Sequence, residues 1–153
     1  MSLLAGTRKG TFILAATFWA LVGIFVVIAS VIVIPAPVFI KRKIFPFIAV
    51  FGIAFFLLGL GLIFLTLKQK VEGMLKRFLL LTGASSAGSF VSVLLHNFIY
   101  GLLIYWFGTD FWDRIGLGDE PFFFSLAIIV CPIGFLIGAV GSIVLFIKKR
   151  KLH

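Results

Sequence analysis

The amino-acid sequence predicts an all-α integral membrane protein in which a single domain, residues 1–153, forms an antiparallel bundle of four transmembrane helices. Apolar residues make up 62% of the chain and charged residues only 12%, and the mean hydropathy is +1.26. A soluble domain carries about a quarter charged residues, because its surface must face water. Four uncharged runs, at residues 11–34, 44–67, 78–107 and 121–147, each exceed the length of about 20 residues that crosses a bilayer as a helix. Backbone groups in lipid must be paired within the segment, so helices are the expected conformation.

The first two runs are expected to be retained transmembrane helices. Arg8 and Lys9 precede the first run, as in a signal peptide, but the run has 24 residues. The apolar region of a signal peptide has about 7–15 residues and is followed by a cleavage site. The second run contains Gly52, Gly59 and Gly61, and small residues favour close packing of transmembrane helices.

The third run carries the one ordered set of polar side chains, and we expect the other helices to pack around it. On a helix, five of these side chains fall within a stripe about 80° wide. At 1.5 Å per residue the run would reach about 45 Å, against about 30 Å of hydrocarbon. The helix is therefore expected to tilt, to project, or to begin later than Phe78. The stripe residues are Ser85, Ser89, Ser92, His96 and Tyr100; Asn97 is added to the candidate polar site, and Gly83 and Gly88 to the helix-packing positions.

The fourth run combines small residues with an internal proline. Gly134, Gly138 and Ser142 are spaced by four, which predicts close helix packing within the bundle or, as an alternative, at a homo-oligomer interface. Pro132 lacks the N–H that a carbonyl one turn earlier needs, so a kink is expected there.

Both termini are predicted to be cytoplasmic in a multi-pass protein of a cell membrane. In that orientation the inner segments hold ten Lys and Arg residues and the outer loops hold four. Cytoplasmic loops carry the excess of such residues. Lys41, Arg42 and Lys43 fall in the first predicted outer loop and oppose this assignment.

The second predicted outer loop, residues 108–120, is acidic and aromatic. Tyr105, Trp106 and Trp112 are interpreted as an interfacial aromatic belt. An acidic lip on a pore, or a docking site for another subunit, is the alternative interpretation. The net charge of +9 would suggest nucleic acid in a soluble protein. Because the basic residues flank apolar runs, we expect the bilayer and anionic lipid as partners and no nucleic acid.

His96 is the strongest candidate for chemistry. Counted from the ends of the third run, it lies slightly outward of the membrane centre, where an ionisable side chain is costly and suggests function. It could relay protons, bind a polar ligand, or ligate a haem, or it could simply bond to a neighbouring helix. All five acids lie outside the runs, Cys131 has no second cysteine, and nothing orients the histidine as in a catalytic triad. We therefore expect no catalytic residue, no cofactor and no metal.

Three segments in the C-terminal half, LLHNFIYG (94–101), DEPFFF (119–124) and CPIGF (131–135), resemble stretches of small uncharacterised prokaryotic four-helix integral membrane proteins. The resemblance implies a membrane fold and no activity.

The sequence leads to three functional hypotheses. The first is a non-enzymatic small membrane protein that acts through helix packing as a subunit or regulator of a membrane complex, with a partner membrane protein or a second copy. The second is an oligomeric transporter or channel that uses the polar stripe. The third is a cofactor-binding protein with His96 as the ligand.

Overall fold

A computed structural model describes the backbone of residues 2–35 and 37–151, and the side chains of residues 9–35, 37, 39–40 and 43–148. The described chain is helical and contains no strand. Its elements are α1 (Ser2–Val33), α2 (Val38–Lys68), α3 (Gly73–Phe107), α4 (Phe111–Arg114), α5 (Pro121–Ser125), a π-helical segment (Leu126–Val130) and α6 (Cys131–Lys151). The last three follow one another without interruption and together are called the fourth long helix.

Within the part of the chain that the structure describes, four helices are long and apolar enough to cross a membrane, as the sequence predicts. The candidate spans are Lys9–Val33, Lys43–Lys68, Gly73–Phe107 and Pro121–Lys148. Most of their large apolar side chains point outward, which suits a lipid environment and would be costly in water. The four apolar helices therefore suggest a multi-pass membrane protein.

The interior is built around α3 and a group of aromatic rings. α3 packs most extensively against α2 and α6, and α1 packs mainly against α2. The Phe135 ring stacks on Phe25, with 4.4 Å between ring centroids, and lies 5.2 Å from Phe55. Phe18 meets Phe146 edge-on at 5.5 Å, so rings from α1, α2 and α6 share one core. The central position of α3 agrees with the expectation drawn from its polar stripe.

Glycines allow the helix backbones to approach closely at two crossings. A Cβ added to Gly59 on α2 would lie 2.9 Å from the Gly83 carbonyl oxygen on α3, and one added to Gly83 would lie 2.8 Å from the Gly59 oxygen. A Cβ on Gly138 would lie 2.7 Å from the Thr82 backbone nitrogen, and Gly134 faces Ser85. A Cβ added to Gly88 would lie 3.4 Å from the Cys131 sulfur, and Ser142 is fully buried. The predicted packing positions therefore all lie in helix contacts.

Three predicted helix starts differ from the structure. α1 begins at Ser2 and not at residue 11. α3 begins at Gly73, before Phe78, and its 35 residues extend about 52 Å. The helix does not begin later than Phe78, and it is continuous through its Gly/Ser-rich part, where Ser86 Oγ donates to the Phe55 carbonyl oxygen of α2 at 2.6 Å. α2 begins at Val38, so Lys41, Arg42 and Lys43 lie within its first turns and not in a loop. The described side chains include only Lys43 of these three.

The disturbance expected near Pro132 takes the form of the π-helical segment, Leu126–Val130, which ends two residues before the proline. Proline supplies no N–H to the preceding turn, and its ring crowds the carbonyl one turn earlier. A wider turn relieves this crowding, and π-type insertions of this kind are uncommon in helices. The Ser89 hydroxyl on α3 donates to the Ala127 carbonyl in this segment at 3.2 Å.

Candidate functional site

Glu120 forms the centre of a polar junction between α3 and the start of the fourth long helix. It is the N-cap of α5, and its side chain is only 6% exposed. The carboxylate accepts hydrogen bonds from the backbone N–H groups of Phe122 at 2.7 Å, Phe123 at 2.9 Å and Phe124 at 3.4 Å. Proline at the first helical position needs no such partner. A carboxylate at this place satisfies free N–H donors and interacts favourably with the positive end of the helix.

His96 contacts the same carboxylate from α3. Its Nδ1 atom lies 3.2 Å from the Glu120 carbonyl oxygen and 3.3 Å from Glu120 Oε2. Both neighbours are acceptors, so Nδ1 carries the hydrogen and donates. The Nε2 atom lies 3.7 Å from Asp119 Oδ1, and the imidazole packs against Phe124 with 5.5 Å between ring centroids. We call His96, Asp119 and Glu120 the acid–histidine cluster.

The depth and surroundings of His96 differ from the sequence-based expectation. The residue lies level with the N-terminal end of the fourth long helix and not near the middle of a span, because it contacts Glu120 directly before Pro121. The expectation that nothing orients this histidine is also wrong, although the acids lie outside the apolar runs as predicted. The segment 108–120 turns back along α3 and returns two carboxylates to it. An acid followed by proline at the start of an apolar run is a helix-start signal that could have located Glu120 as a cap.

Tyr100 lies one turn beyond His96 and is covered by α4. The Trp112 ring stacks on Tyr100 at 5.7 Å with an interplanar angle of 7°, and Trp112 Nε1 donates to the Tyr100 carbonyl at 3.4 Å. Trp112 is only 5% exposed, so its assignment to an interfacial belt is wrong. Tyr105 and Trp106 are largely exposed, as a belt would require.

The remaining stripe residues contact other helices one by one and do not gather at the cluster. Ser92 is buried on α3, Ser89 bonds to the π-helical segment, and Ser85 faces Gly134. Asn97 is exposed and its Nδ2 donates to the Val93 carbonyl of its own helix at 2.7 Å, so it is not part of the junction. The sequence analysis missed Asp119, Glu120 and Ser86, all of which connect α3 to neighbouring segments.

The cluster can exchange a proton, since it brings together an imidazole and two carboxylates. Within the described residues, no three His, Cys, Asp or Glu side chains are placed to hold a metal ion. The four long apolar helices found among the described residues suggest a multi-pass helical membrane protein. Comparison of the chain with protein-family models, curated proteins and solved structures found no match.

Proposed function

We propose that the chain is a non-enzymatic integral membrane protein that acts as a subunit or regulator of a membrane complex. In this proposal it forms an antiparallel four-helix bundle in a cell membrane. Residue pairs across two helix contacts support the antiparallel arrangement: Gly52 of α2 faces Phe90 of α3, and Gly59 faces Gly83. Along this contact the residue numbers increase in α2 and decrease in α3, as they do between antiparallel helices.

The observation that carries the proposed role is the outer face of α1. Ala16, Ala20 and Gly23 are exposed there at helical spacing, and a Cβ added to Gly23 would meet nothing within 4 Å. By contrast, neighbouring helices already occupy the space beside Gly59 and Gly138. Transmembrane helices associate through such small-residue faces, because lipid supplies no hydrophobic drive between them. The proposed partner is therefore a transmembrane helix that packs on α1.

The test is site-specific photo-crosslinking from residue 20 in native membranes. We expect a discrete protein adduct that is lost when Gly23→Leu fills the face. The matched control is Gly61→Leu, since a Cβ at Gly61 also meets nothing within 4 Å but lies on α2. Lipid adducts alone, or an adduct that Gly23→Leu leaves unchanged, would contradict the proposal.

Both termini are proposed to be cytoplasmic, with anionic lipid at the basic end. Lys68, Lys70 and Arg77 are exposed near the connection between α2 and α3. Lys148 is exposed near the end of α6. Basic residues at one end of apolar spans attract anionic headgroups, each contributing about 1 kcal/mol near the surface.

A transporter or channel is the second candidate, favoured by the acid–histidine cluster at one end of the serine stripe. Ser89 and Ser85 lie in helix contacts, so a path along them would require the helices to separate. Flux in liposomes that falls in both His96→Ala and Ser92→Leu would support this function. Equal flux in the variants and the parent protein would remove the stripe from any mechanism.

A further inference from the structure

We infer that the acid–histidine cluster is a proton-binding site whose protonation holds the segment 108–120 and the start of the fourth long helix against α3. The inference does not depend on the proposed partner of α1, which lies on a different helix. Its basis is the arrangement of donors and acceptors around the two ring nitrogens of His96.

The neighbours of His96 Nδ1 show that this nitrogen carries a hydrogen. Nδ1 faces the Glu120 carbonyl oxygen at 3.2 Å and Glu120 Oε2 at 3.3 Å, and neither oxygen of an ionised carboxylate or carbonyl can donate. The carboxylate itself accepts hydrogen bonds from the N–H groups of Phe122 and Phe123, so it already acts as an acceptor at this place. Nδ1 therefore holds a hydrogen in both protonation states of the ring, and Nε2 is the nitrogen that gains or loses the proton.

The other ring nitrogen, Nε2, faces the carboxylate of Asp119. Asp119 Oδ1 lies 3.7 Å away and already accepts from the Glu120 N–H at 2.7 Å. In the neutral ring the Nε2 lone pair would face this oxygen, so two acceptors would oppose each other. In the imidazolium, an N–H and a positive charge face the carboxylate instead. Protonation thus converts the contact with Asp119 from unfavourable to favourable.

The charged side chains in contact with the His96 ring are two carboxylates. The segment 108–120 contributes Asp119 and Glu120, α5 contributes the apolar ring of Phe124, and α3 itself contributes Tyr100. Arg114 is the only cation in that segment, and it pairs with Asp110 at 3.3 Å and with the Phe107 carbonyl.

At the start of α2, Lys43 is exposed, and no contact joins it to His96 within the described structure. Among the described side chains, the two carboxylates at His96 therefore have no other cation in contact.

The expected behaviour follows from these contacts. Histidine changes its charge between about pH 5 and pH 8. Near the lower limit Nδ1 donates to Glu120 and the charged ring also faces the Asp119 carboxylate, so the start of the fourth long helix is held to α3. Near the upper limit only the Nδ1 bonds remain, and the residues around Asp119 separate more readily from α3. The stack of Trp112 on Tyr100 is a second contact between the segment 108–120 and α3, so we expect the change to be largest near Asp119.

The first test is nitrogen-detected NMR of the His96 ring in the unmodified protein. We expect the neutral ring to carry its hydrogen on Nδ1, and the charged ring to appear as the pH is lowered. A neutral ring with its hydrogen on Nε2 would overturn the inference, because Nδ1 could then not donate to Glu120. No substitution is needed, so a folding defect cannot obscure the result.

The second test measures the distance between spin labels at Phe98→Cys and Leu117→Cys in a Cys131→Ala background. Both positions are exposed. We expect a narrow distance distribution at about pH 5 that broadens at about pH 8. His96→Gln should give the broad distribution at both values. A distribution independent of pH in the parent, or unchanged pH dependence in His96→Gln, would overturn the inference.

The control pair is Leu67→Cys and Met74→Cys at the opposite end of α3, both also exposed. Its distance distribution should not depend on pH in either background. A change at this pair as well would show that the whole fold responds to pH, and would overturn an effect confined to the junction.

Discussion

Glu120 combines two roles in a single buried side chain. It satisfies the first N–H groups of the fourth long helix, and it accepts a hydrogen bond from His96 on α3. A capping residue that also contacts a second helix determines the residue at which its own helix begins. It also holds that end of the helix against the second helix. Replacing it leaves backbone donors without partners in a poorly hydrated place, which costs more than the loss of an exposed cap.

We predict that Glu120→Ala lowers the free energy of unfolding by about 1–3 kcal/mol. The physical reason is the loss of the cap and of the His96 acceptor in one step. Thermal unfolding in detergent, followed by circular dichroism, would measure the effect. Asp110→Ala is the control, since Asp110 makes an exposed ion pair with Arg114 that should contribute less than about 1 kcal/mol. Equal effects of the two substitutions would contradict the assigned role of Glu120.

Two buried serines should respond in opposite ways to the same substitution. Ser142 Oγ is buried and has no hydrogen-bond partner within the described structure, whereas Ser86 Oγ donates to the Phe55 carbonyl at 2.6 Å. Ser142→Ala should therefore leave stability unchanged or raise it, because an unpaired hydroxyl is removed. Ser86→Ala should cost about 1 kcal/mol. Melting temperatures of the two variants in one detergent would check the difference, and a larger loss for Ser142→Ala would refute it.

At the scale of elements, α3 owes its central position to small residues that let two helices approach it. α2 crosses at Gly59 and Gly83, and α6 crosses at Gly138. Transmembrane helices gain little from burying apolar surface against one another, so close packing and interhelical hydrogen bonds must hold them. Ser86 supplies such a bond at the crossing with α2, and Ser89 supplies one to the π-helical segment that precedes α6.

We predict that Gly138→Leu separates α6 from α3 and lowers the melting temperature in detergent. Even a Cβ at this position would lie 2.7 Å from the Thr82 backbone nitrogen, and a backbone atom cannot move aside cheaply. Gly101→Leu is the matched control, because a Cβ at Gly101 meets nothing within 4 Å. If both variants melted at the temperature of the parent protein, the close crossing would not exist.

The sequence predicts the long helices and the packing glycines because both depend on local pattern. Apolar length predicts a span, and Gly138 four residues after Gly134 predicts a thin helix face. The acid–histidine cluster is not local, since His96 and Glu120 are 24 positions apart. It depends on the path of residues 108–120, which no periodicity describes. Trp112 was misassigned for the same reason: its burial follows from α4 packing back on α3.

At the scale of the whole molecule, the proposed antiparallel arrangement predicts which connections share a side of the membrane. In sealed vesicles with the cytoplasmic face inward, we expect a membrane-impermeant maleimide to label Leu117→Cys and not Met74→Cys, both in a Cys131→Ala background. The two positions are similarly exposed, so accessibility from one side would decide the result. Labelling of Met74→Cys alone would reverse the proposed orientation.

α3 is also longer than its neighbours, with 35 residues against 25, 26 and 28 in the other candidate spans. Its last eleven residues, 97–107, continue about 16 Å past the level of His96, where the fourth long helix begins. The chain therefore has no single hydrophobic thickness. A thin bilayer would leave these turns among the headgroups and keep the cluster hydrated. A thicker one would draw the same turns, together with Glu120, toward the hydrocarbon. Acyl-chain length would thus set how freely water and protons reach His96.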